Sequence, residues 1–197
     1  MRFTIRLALL SAVIILGYFA VRDLKNNIPD PLSIDVGTKV DSLNGVYVYY
    51  NGAVSHVDGR NLAPDGYNLG LKYQCVEFAK RYYYQHLNHK MPDSYGHAKD
   101  FFQKSLKDST FNTHRGLMQF TNGSTTKPRV DDLLVFDGHP GNKYGHIAIV
   151  SAVKLNKIEI IQQNPGPFER SRAEFPLKQE NGLWTVEGDG VLGWLGK

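Results

Sequence analysis

The order of the secondary-structure patterns along the chain constrains its fold more than any other feature. Apolar side chains recur at steps of three and four over residues 74–87 and again over 97–106, which is typical of one face of an α-helix. After residue 130 the pattern changes to short apolar and β-branched runs separated by turn formers. The predicted strands are Val46–Tyr50, Leu133–Phe136, His146–Val153, Ile158–Gln163, Trp184–Val186 and Val191–Trp194. Helices followed by antiparallel strands predict an α+β domain, with N-terminal helices packed on one face of an antiparallel β-sheet.

Length, charge and cysteine content exclude several classes of protein. The chain has 197 residues, 42% of them hydrophobic, which suits one globular domain. Its formal charge of +4 is concentrated in residues 1–25, and the remainder is nearly balanced, so no basic patch supports nucleic-acid binding. One cysteine excludes an internal disulfide and a cysteine-based zinc cluster, and the histidines lack metal-ligand spacing. We expect neither a metal nor an organic cofactor.

The first 25 residues have the pattern of a targeting segment. Arg2 and Arg6 precede Leu7–Val21, a run of uncharged and mostly apolar residues, and Arg22 follows it. The run suits a signal-peptide core and is short for a membrane span, which needs ~20 residues. Flanking arginines would extend its reach to the membrane interfaces. We predict a signal anchor with the domain facing the periplasm or exterior; a cleaved signal peptide with a secreted domain is the alternative.

Residues 26–44 separate this segment from the predicted domain. They contain two prolines, one glycine and scattered polar residues without a sustained hydrophobic period. This composition predicts a linker, which leaves residues 45–197 as the folded domain.

The only cysteine lies where a glycine-containing loop gives way to the first helical pattern. Cys75 would occupy the first turn of the helix, where unpaired backbone N–H groups and the helix dipole favour a thiolate. A thiol with a lowered pKa is what nucleophilic catalysis by cysteine requires. A free cysteine is equally compatible with a small buried hydrophobic residue, and this stretch alone does not separate the two interpretations.

His146 is the histidine whose context differs from that of the other six. It opens an apolar strand, and a polar residue at the mouth of a strand faces a rim where sites are built. A hairpin turn near residues 154–156 would bring either Gln162 or Asn164 close to His146. Either amide could accept a hydrogen bond from the imidazole and leave its other nitrogen to act as a base toward a thiol. This arrangement matches the Cys-His-Asn logic of thiol hydrolases; the alternative is a core cysteine with unrelated polar strand ends.

A series of short motifs in the same order resembles the CHAP family, a papain-like group of cysteine amidases and endopeptidases. The motifs are Gln74–Ala79, Asn122–Ser124, Leu133–Phe136, Gly145–Ala148, Gln163–Asn164 and Val191–Trp194. Within that family they are similar to the glutathionylspermidine amidases. The resemblance covers roughly Val46–Trp194 and implies a papain-like CHAP fold, preceded here by the predicted anchor helix.

The resemblance implies a role for each of the matching residues. Cys75 would be the nucleophile, and His146 the general base and then the general acid. Gln162 stands where the family usually places a glutamate that orients the histidine, and a neutral amide does not neutralise an imidazolium. Lys80 stands where glutathionylspermidine amidases have an arginine, which implies altered substrate binding at that position. The Gln74 side chain and the Cys75 backbone N–H are candidate oxyanion donors.

Together these features predict a thiol-dependent amide hydrolase that acts outside the cytoplasm. Because CHAP domains outside cells commonly cut peptidoglycan amides, the expected substrate is cell-wall peptide. The alternative substrate is a glycyl–polyamine amide, as in glutathionylspermidine. A further alternative is a weak or inactive binding module, in which Gln162 would mark lost activity. Membrane contact would be made through the N-terminal segment.

Overall fold

The computed structural model describes residues 34–166 and 170–197. The predicted targeting segment and the first half of the predicted linker lie outside these residues, so the anchor remains a prediction. Within the described part, no helix has the length and apolar character needed to cross a membrane.

Residues 35–197 fold as one unit built mainly of strands. Its elements, in chain order, are β1 (Lys39–Leu43), β2 (Val46–Tyr49), β3 (Arg60–Leu62), β4 (Asn68–Leu71), α1 (Cys75–Gln85), a 3₁₀-helix (Ala98–Phe101), β5 (Thr110–Asn112), β6 (Leu117–Thr121), β7 (Leu133–Phe136), β8 (His146–Val153), β9 (Lys157–Ile161), β10 (Arg172–Glu180), β11 (Leu183–Val186) and β12 (Val191–Gly196). The α+β class is confirmed. The predicted set of helices is wrong for the described residues, which hold one α-helix and one 3₁₀ turn.

Eight of the strands form one antiparallel sheet in the spatial order β11-β10-β9-β8-β7-β12-β6-β5. β8 lies near the middle, between β7 and β9, so His146 opens a strand that is paired on both sides. β12 lies between β7 and β6, although it follows both of them in the chain. β1 pairs with β2, and β3 with β4, as two separate hairpins.

The two faces of the large sheet follow from alternation along its strands. On one face, Ile147 and Ile149 of β8 pack with the apolar side of α1, where Phe78 and Tyr82 are fully buried. The other face carries a second apolar cluster that includes Ala148, Val150, Ile158, Ile160 and Trp194. The helix predicted over residues 74–87 is confirmed at Cys75–Gln85, and its apolar face is what fixes it on the sheet.

The second predicted helix, over residues 97–106, is wrong beyond its first turn. Asp100 accepts a hydrogen bond from the His97 N–H and caps the 3₁₀-helix Ala98–Phe101, after which Phe102 is extended. The next backbone groups are taken by a side chain: Gln119 accepts from the Gln103 N–H and donates to the Gln103 carbonyl. Because these groups are already paired, they are not free to continue a helix. Ala98 and Phe101 are buried as the periodicity predicts.

β1 lies within residues 26–44, which the composition predicts to be a linker. It is held by the guanidinium of Arg172, which donates to Asp41 at 2.9 Å and to Glu159 at 2.8 Å. These ion pairs join β1 to β10 and β9. Folded structure therefore begins before residue 45, at a segment whose short polar strand has no hydrophobic period of its own.

Candidate active site

Cys75 is the first residue of α1. Gln74 precedes it in an extended conformation, φ −88° and ψ 158°, which ends the loop and starts the helix. The residue as a whole is partly exposed, whereas its thiol is surrounded by protein atoms. Burial raises the pKa of the thiol to about 11, while the backbone N–H groups of Ile147, Val76 and Cys75 itself act to lower it. The thiol pKa is therefore raised, not lowered as the helix start alone predicts, because burial of the sulfur outweighs the helix-start amides.

The fold brings this thiol to the strand that carries His146. The sulfur accepts a hydrogen bond from the backbone N–H of Ile147, which is the residue directly after His146 in β8. Gly145, at φ +73°, makes the turn into β8, and a Cβ there would clash with the Phe136 carbonyl. The start of α1 and the mouth of β8, which are distant in sequence, therefore form one site.

The imidazole of His146 is oriented by Gln162. His146 Nε2 lies 3.0 Å from Gln162 Oε1. Gln162 Nε2 donates to the Arg170 carbonyl at 3.0 Å, which fixes the orientation of the amide. Because Oε1 can only accept, the neutral ring carries its proton on Nε2 and leaves Nδ1 as a proton acceptor. Burial lowers the pKa of His146 to about 4, and the Gln162 hydrogen bond opposes this.

Asn164, the other candidate to orient the histidine, faces a different partner. Its Nδ2 donates to Gln74 Oε1 at 2.8 Å and to the Val54 carbonyl at 2.9 Å. Gln74 Nε2 in turn donates to the carbonyls of His56, at 2.7 Å, and Val54, at 3.3 Å. These contacts hold the loop of residues 51–58 beside the start of α1. Both N–H groups of the Gln74 amide are thereby used, so the structure does not place it as an oxyanion donor.

Lys80, the predicted substrate-binding residue, is fully buried. Its ammonium donates to the carbonyls of Asn68 and Ser94 and lies over the ring of Tyr67. Burial, with Arg115 nearby, lowers its pKa to about 8. Lys80 therefore holds β4 against the segment after α1, and these contacts occupy its ammonium group.

Two buried residues beside the site carry contacts that the sequence patterns do not single out. Glu77 accepts hydrogen bonds from Asn61 at 2.7 Å, Arg81 at 2.6 Å and Gln163 at 2.9 Å. Gln163 also donates to the backbone carbonyl of Gln74 at 3.1 Å. Two sequence signals could have indicated these contacts. Glu77 and Arg81 are four residues apart on one face of α1, and alternation along a strand puts the side chain of Gln163 on the opposite side from that of Gln162.

A cavity of about 440 Å³ adjoins His146 and Gln162. Phe136 and Phe175 supply apolar walls, and Asp137 and Asp189 supply carboxylates; the other lining residues are Gly138, His139, Asn142, Gly145, Pro165, Ala173 and Gly190. Asp137 is paired with Lys104 at 2.5 Å. Among residues 34–166 and 170–197, no three His, Cys, Asp or Glu side chains are grouped so that they could hold a metal ion.

Comparison with known proteins identifies the family of the chain. The family model of the CHAP domain matches residues 65–164. The bifunctional glutathionylspermidine synthetase/amidase of Escherichia coli (strain K12) is 31% identical over 147 residues, covering 69% of this chain and 23% of that protein. Trypanothione synthetase of Crithidia fasciculata is 28% identical over 135 residues, covering 66% of this chain and 21% of that protein. The chain thus spans less than a quarter of either relative.

Among solved structures, the crystal structure of Ly7917 is similar with a TM-score of 0.36 and 15% identity, covering 64% of this chain and 53% of that one. Both parts of the predicted resemblance, to the CHAP family and to glutathionylspermidine synthetase/amidase, are confirmed. Since the family model spans half of the sequence, from the loop before Cys75 to Asn164, the chain belongs to the CHAP domain family.

Proposed function

We propose that this chain is a thiol-dependent amide hydrolase with Cys75 as nucleophile and His146 as general base and acid. The observation that carries the proposal is the arrangement at the mouth of β8. The thiol lies against the residue that follows His146, and Gln162 holds the imidazole with Nδ1 free to accept a proton. Membership of the CHAP family and similarity to a glutathionylspermidine synthetase/amidase support the same chemistry.

The pKa directions set the order of the proposed steps. Burial raises the pKa of Cys75 to about 11 and lowers that of His146 to about 4, so both groups are neutral before substrate binds. The thiol proton therefore passes to His146 as the sulfur attacks the amide carbonyl. Backbone N–H groups at the start of α1 are the proposed donors to the oxyanion. The imidazolium protonates the leaving amine, and water then releases the acyl group from Cys75.

Peptide amides of peptidoglycan are the substrate that we propose first. Support comes from the apolar N-terminal segment, whose targeting pattern favours a domain outside the cytoplasm, and from the CHAP family resemblance. We propose that this segment anchors the chain to the membrane. Fractionation of cells expressing the full chain tests this: an anchored protein stays with membranes after an alkaline wash, and a cleaved one is recovered without residues 1–25.

A glycyl–polyamine amide is the second candidate substrate. The name of the Escherichia coli relative supports it, and so does the cavity beside His146. The leaving amine must lie near His146 to be protonated, and the carboxylate of Asp189 in the cavity wall suits a cationic chain, whereas Asp137 is already paired with Lys104. If this candidate is correct, Asp189→Asn should raise KM for a polyamine amide and leave KM for a neutral amide unchanged.

Incubation of the purified full chain with peptidoglycan and, separately, with glutathionylspermidine tests the proposal. Mass spectrometry of the products identifies the bond that is cut. We expect release from one of the two substrates, with loss of about 10³-fold or more for Cys75→Ala and His146→Ala. Release that persists in Cys75→Ala, or no release from either substrate, would contradict the proposed hydrolase and favour a binding module.

A further inference from the structure

Gln163 is fully buried, and both polar atoms of its side chain are engaged. Its Oε1 accepts from the Tyr49 N–H at 2.7 Å and lies 3.5 Å from Arg81 Nη2. Its Nε2 donates to Glu77 Oε2 at 2.9 Å and to the Gln74 carbonyl at 3.1 Å. One side chain thus joins the segment after β9 to three places: β2, Glu77 in the first turn of α1, and Gln74, the residue before the helix.

The contact with Gln74 bears directly on the nucleophile. The Gln74 carbonyl and the Cys75 N–H belong to the same planar peptide group, so holding the carbonyl sets the direction of that N–H and the position of the Cys75 Cα. The same carbonyl accepts the first helical bond, from Phe78 at 3.1 Å. Gln163 therefore holds α1 at the point from which the thiol projects.

The position of Gln163 in the chain links this contact to the histidine. It directly follows Gln162, whose Oε1 orients His146. The two neighbouring glutamines point to opposite sides, one toward the imidazole and the other toward the helix start. A shift of α1 relative to the end of β9 would therefore change the distance between Cys75 Sγ and His146 Nδ1. Gln163 opposes such a shift because it is bonded to both elements.

We propose that Gln163 is a positioning residue that couples Cys75 to His146. The inference rests on the proposed function, because it concerns how the thiol and its base are aligned. Gln163 contacts neither of the reacting groups through a hydrogen bond of its own side chain; it acts through the Gln74 peptide and through its neighbour Gln162. A misplacement on the order of 1 Å in such a pair can lower a rate about 10²-fold.

Gln119 provides a matched control away from the site. It is also fully buried and uses both amide atoms, accepting from Gln103 and Asn112 and donating to the Gln103 carbonyl. Replacement of either glutamine by methionine keeps the side-chain length and removes the hydrogen bonds. Loss of fold stability is therefore expected in both variants, while loss of alignment at Cys75 is expected only in Gln163→Met.

A double-mutant cycle on the full chain tests the coupling through the alkylation rate of Cys75 by iodoacetamide at pH 8, with circular dichroism as the check on folding. We expect His146→Ala to slow alkylation about tenfold or more in the natural sequence and in Gln119→Met. In Gln163→Met the same change should have an effect of less than about threefold, because the base is no longer aligned. Gln163→Asn, which keeps a neutral amide but is one methylene too short to make the same contacts with Gln74, gives the same cycle if the methionine variant does not fold.

The outcomes separate this inference from the function on which it rests. If His146→Ala does not slow alkylation in the natural sequence, the proposed thiol–imidazole pair fails, and the coupling fails with it. If His146→Ala slows alkylation equally in the natural sequence and in the Gln163 variants, the pair stands and the positioning role of Gln163 is overturned.

Discussion

At the scale of single residues, the charge state of Cys75 and His146 follows from their surroundings. Burial disfavours the thiolate and the imidazolium alike, which raises one pKa to about 11 and lowers the other to about 4. Gln162 supplies only a neutral oxygen to the imidazole, so it adds no negative charge that would favour the imidazolium. With these pKa values, Cys75 and His146 are both neutral at pH 7 in the free protein.

The first prediction concerns the pH dependence of Cys75 alkylation. Below a thiol pKa of about 11, the thiolate fraction rises tenfold for each pH unit. In His146→Ala, where no base assists the thiol, we expect the rate of alkylation by iodoacetamide to keep rising from pH 6 to pH 10 and to show no plateau on the acid side. A rate in this variant that is already level between pH 5 and pH 7 would reveal a thiolate there and contradict the raised thiol pKa.

The second prediction concerns the residue that orients the histidine. Gln162→Glu would place a carboxylate 3.0 Å from Nε2, where it should raise the pKa of His146 by about 1–3 and favour transfer of the thiol proton. NMR titration of the His146 ring gives the pKa, and alkylation of Cys75 at pH 7 should become about tenfold faster or more.

The matched control for this change is Gln162→Leu. It removes the hydrogen bond without adding charge and should slow alkylation. The glutamate also faces the Arg170 carbonyl, which now accepts from Gln162 Nε2, so some loss of stability is expected beside the gain in rate. An unchanged His146 pKa in Gln162→Glu would show that the side chain at 162 does not face the ring in solution.

At the scale of elements, the ion pairs of Arg172 hold β1 on the sheet. Burial raises the pKa of Asp41, but hydrogen bonds from Arg172 and Ser171 outweigh it and leave the pKa below its ordinary value. Hydrogen bonds from Ser151 and Arg172 lower the pKa of Glu159. Groups with lowered pKa values contribute stability above their unfolded pKa near 4, and this contribution is lost as the pH falls through the folded value.

The third prediction is that Arg172→Met lowers the free energy of unfolding by about 1 kcal/mol at pH 7 and by less at pH 3, because the pairs are partly exposed and are protonated in acid. Urea denaturation at the two pH values measures the difference. Arg172→Lys keeps one charge and should lose less. An equal loss at both pH values would show that packing of the arginine, not its charge, holds β1.

The sequence predicts the elements whose patterns are local. β7 and β8 are placed at their observed bounds because their apolar runs end at clear turn signals, and α1 is placed because its apolar face repeats. The sequence does not show which of Gln162 and Asn164 orients His146, because this depends on the register between β8 and β9. A bulge at Ser151, between the pairs Val150–Ile160 and Ala152–Glu159, shifts the register of β8 against β9.

Other features depend on contacts between distant parts of the chain. The helix predicted over residues 97–106 ends early because the side chain of Gln119, on β6, hydrogen-bonds to the backbone N–H and carbonyl of Gln103. β10 has a proline and many charged residues, so its strand character comes from pairing with β9 and β11. Gln74 and Lys80 occupy positions that match the family motifs. Their side chains, however, donate to the backbone carbonyls of His56 and Ser94, which lie in distant parts of the chain.

At the scale of the whole molecule, Asp132 makes stability depend on pH. Burial raises the pKa of its carboxyl to about 7, although the Arg129 N–H donates to it at 2.7 Å and opposes the shift. Because the folded pKa lies above the ordinary value of 3.8, the folded state binds the proton more tightly than the unfolded state. Its contribution to stability is complete below pH 4 and is lost as the pH rises through 7.

The fourth prediction is that Asp132→Asn stabilises the protein at pH 8 by about 1–2 kcal/mol and has little effect at pH 4. The asparagine oxygen can still accept from the Arg129 N–H, and no buried charge has to form. Thermal unfolding at pH 4 and pH 8 measures the change, with Asp58→Asn, at an exposed position, as control. A variant that is less stable than the natural sequence at pH 8 would show that the ionised carboxylate is needed.

The place of β12 in the sheet has a consequence for biosynthesis. β6 and β7, which flank it, leave the ribosome first and have no partner for their facing edges until β12 emerges. Trp194 and Leu195, fully buried in opposite apolar clusters, are also missing until then. The sheet therefore cannot close between β6 and β7 before residues 191–196 are made, and until then those two strand edges stay open to pairing with other chains.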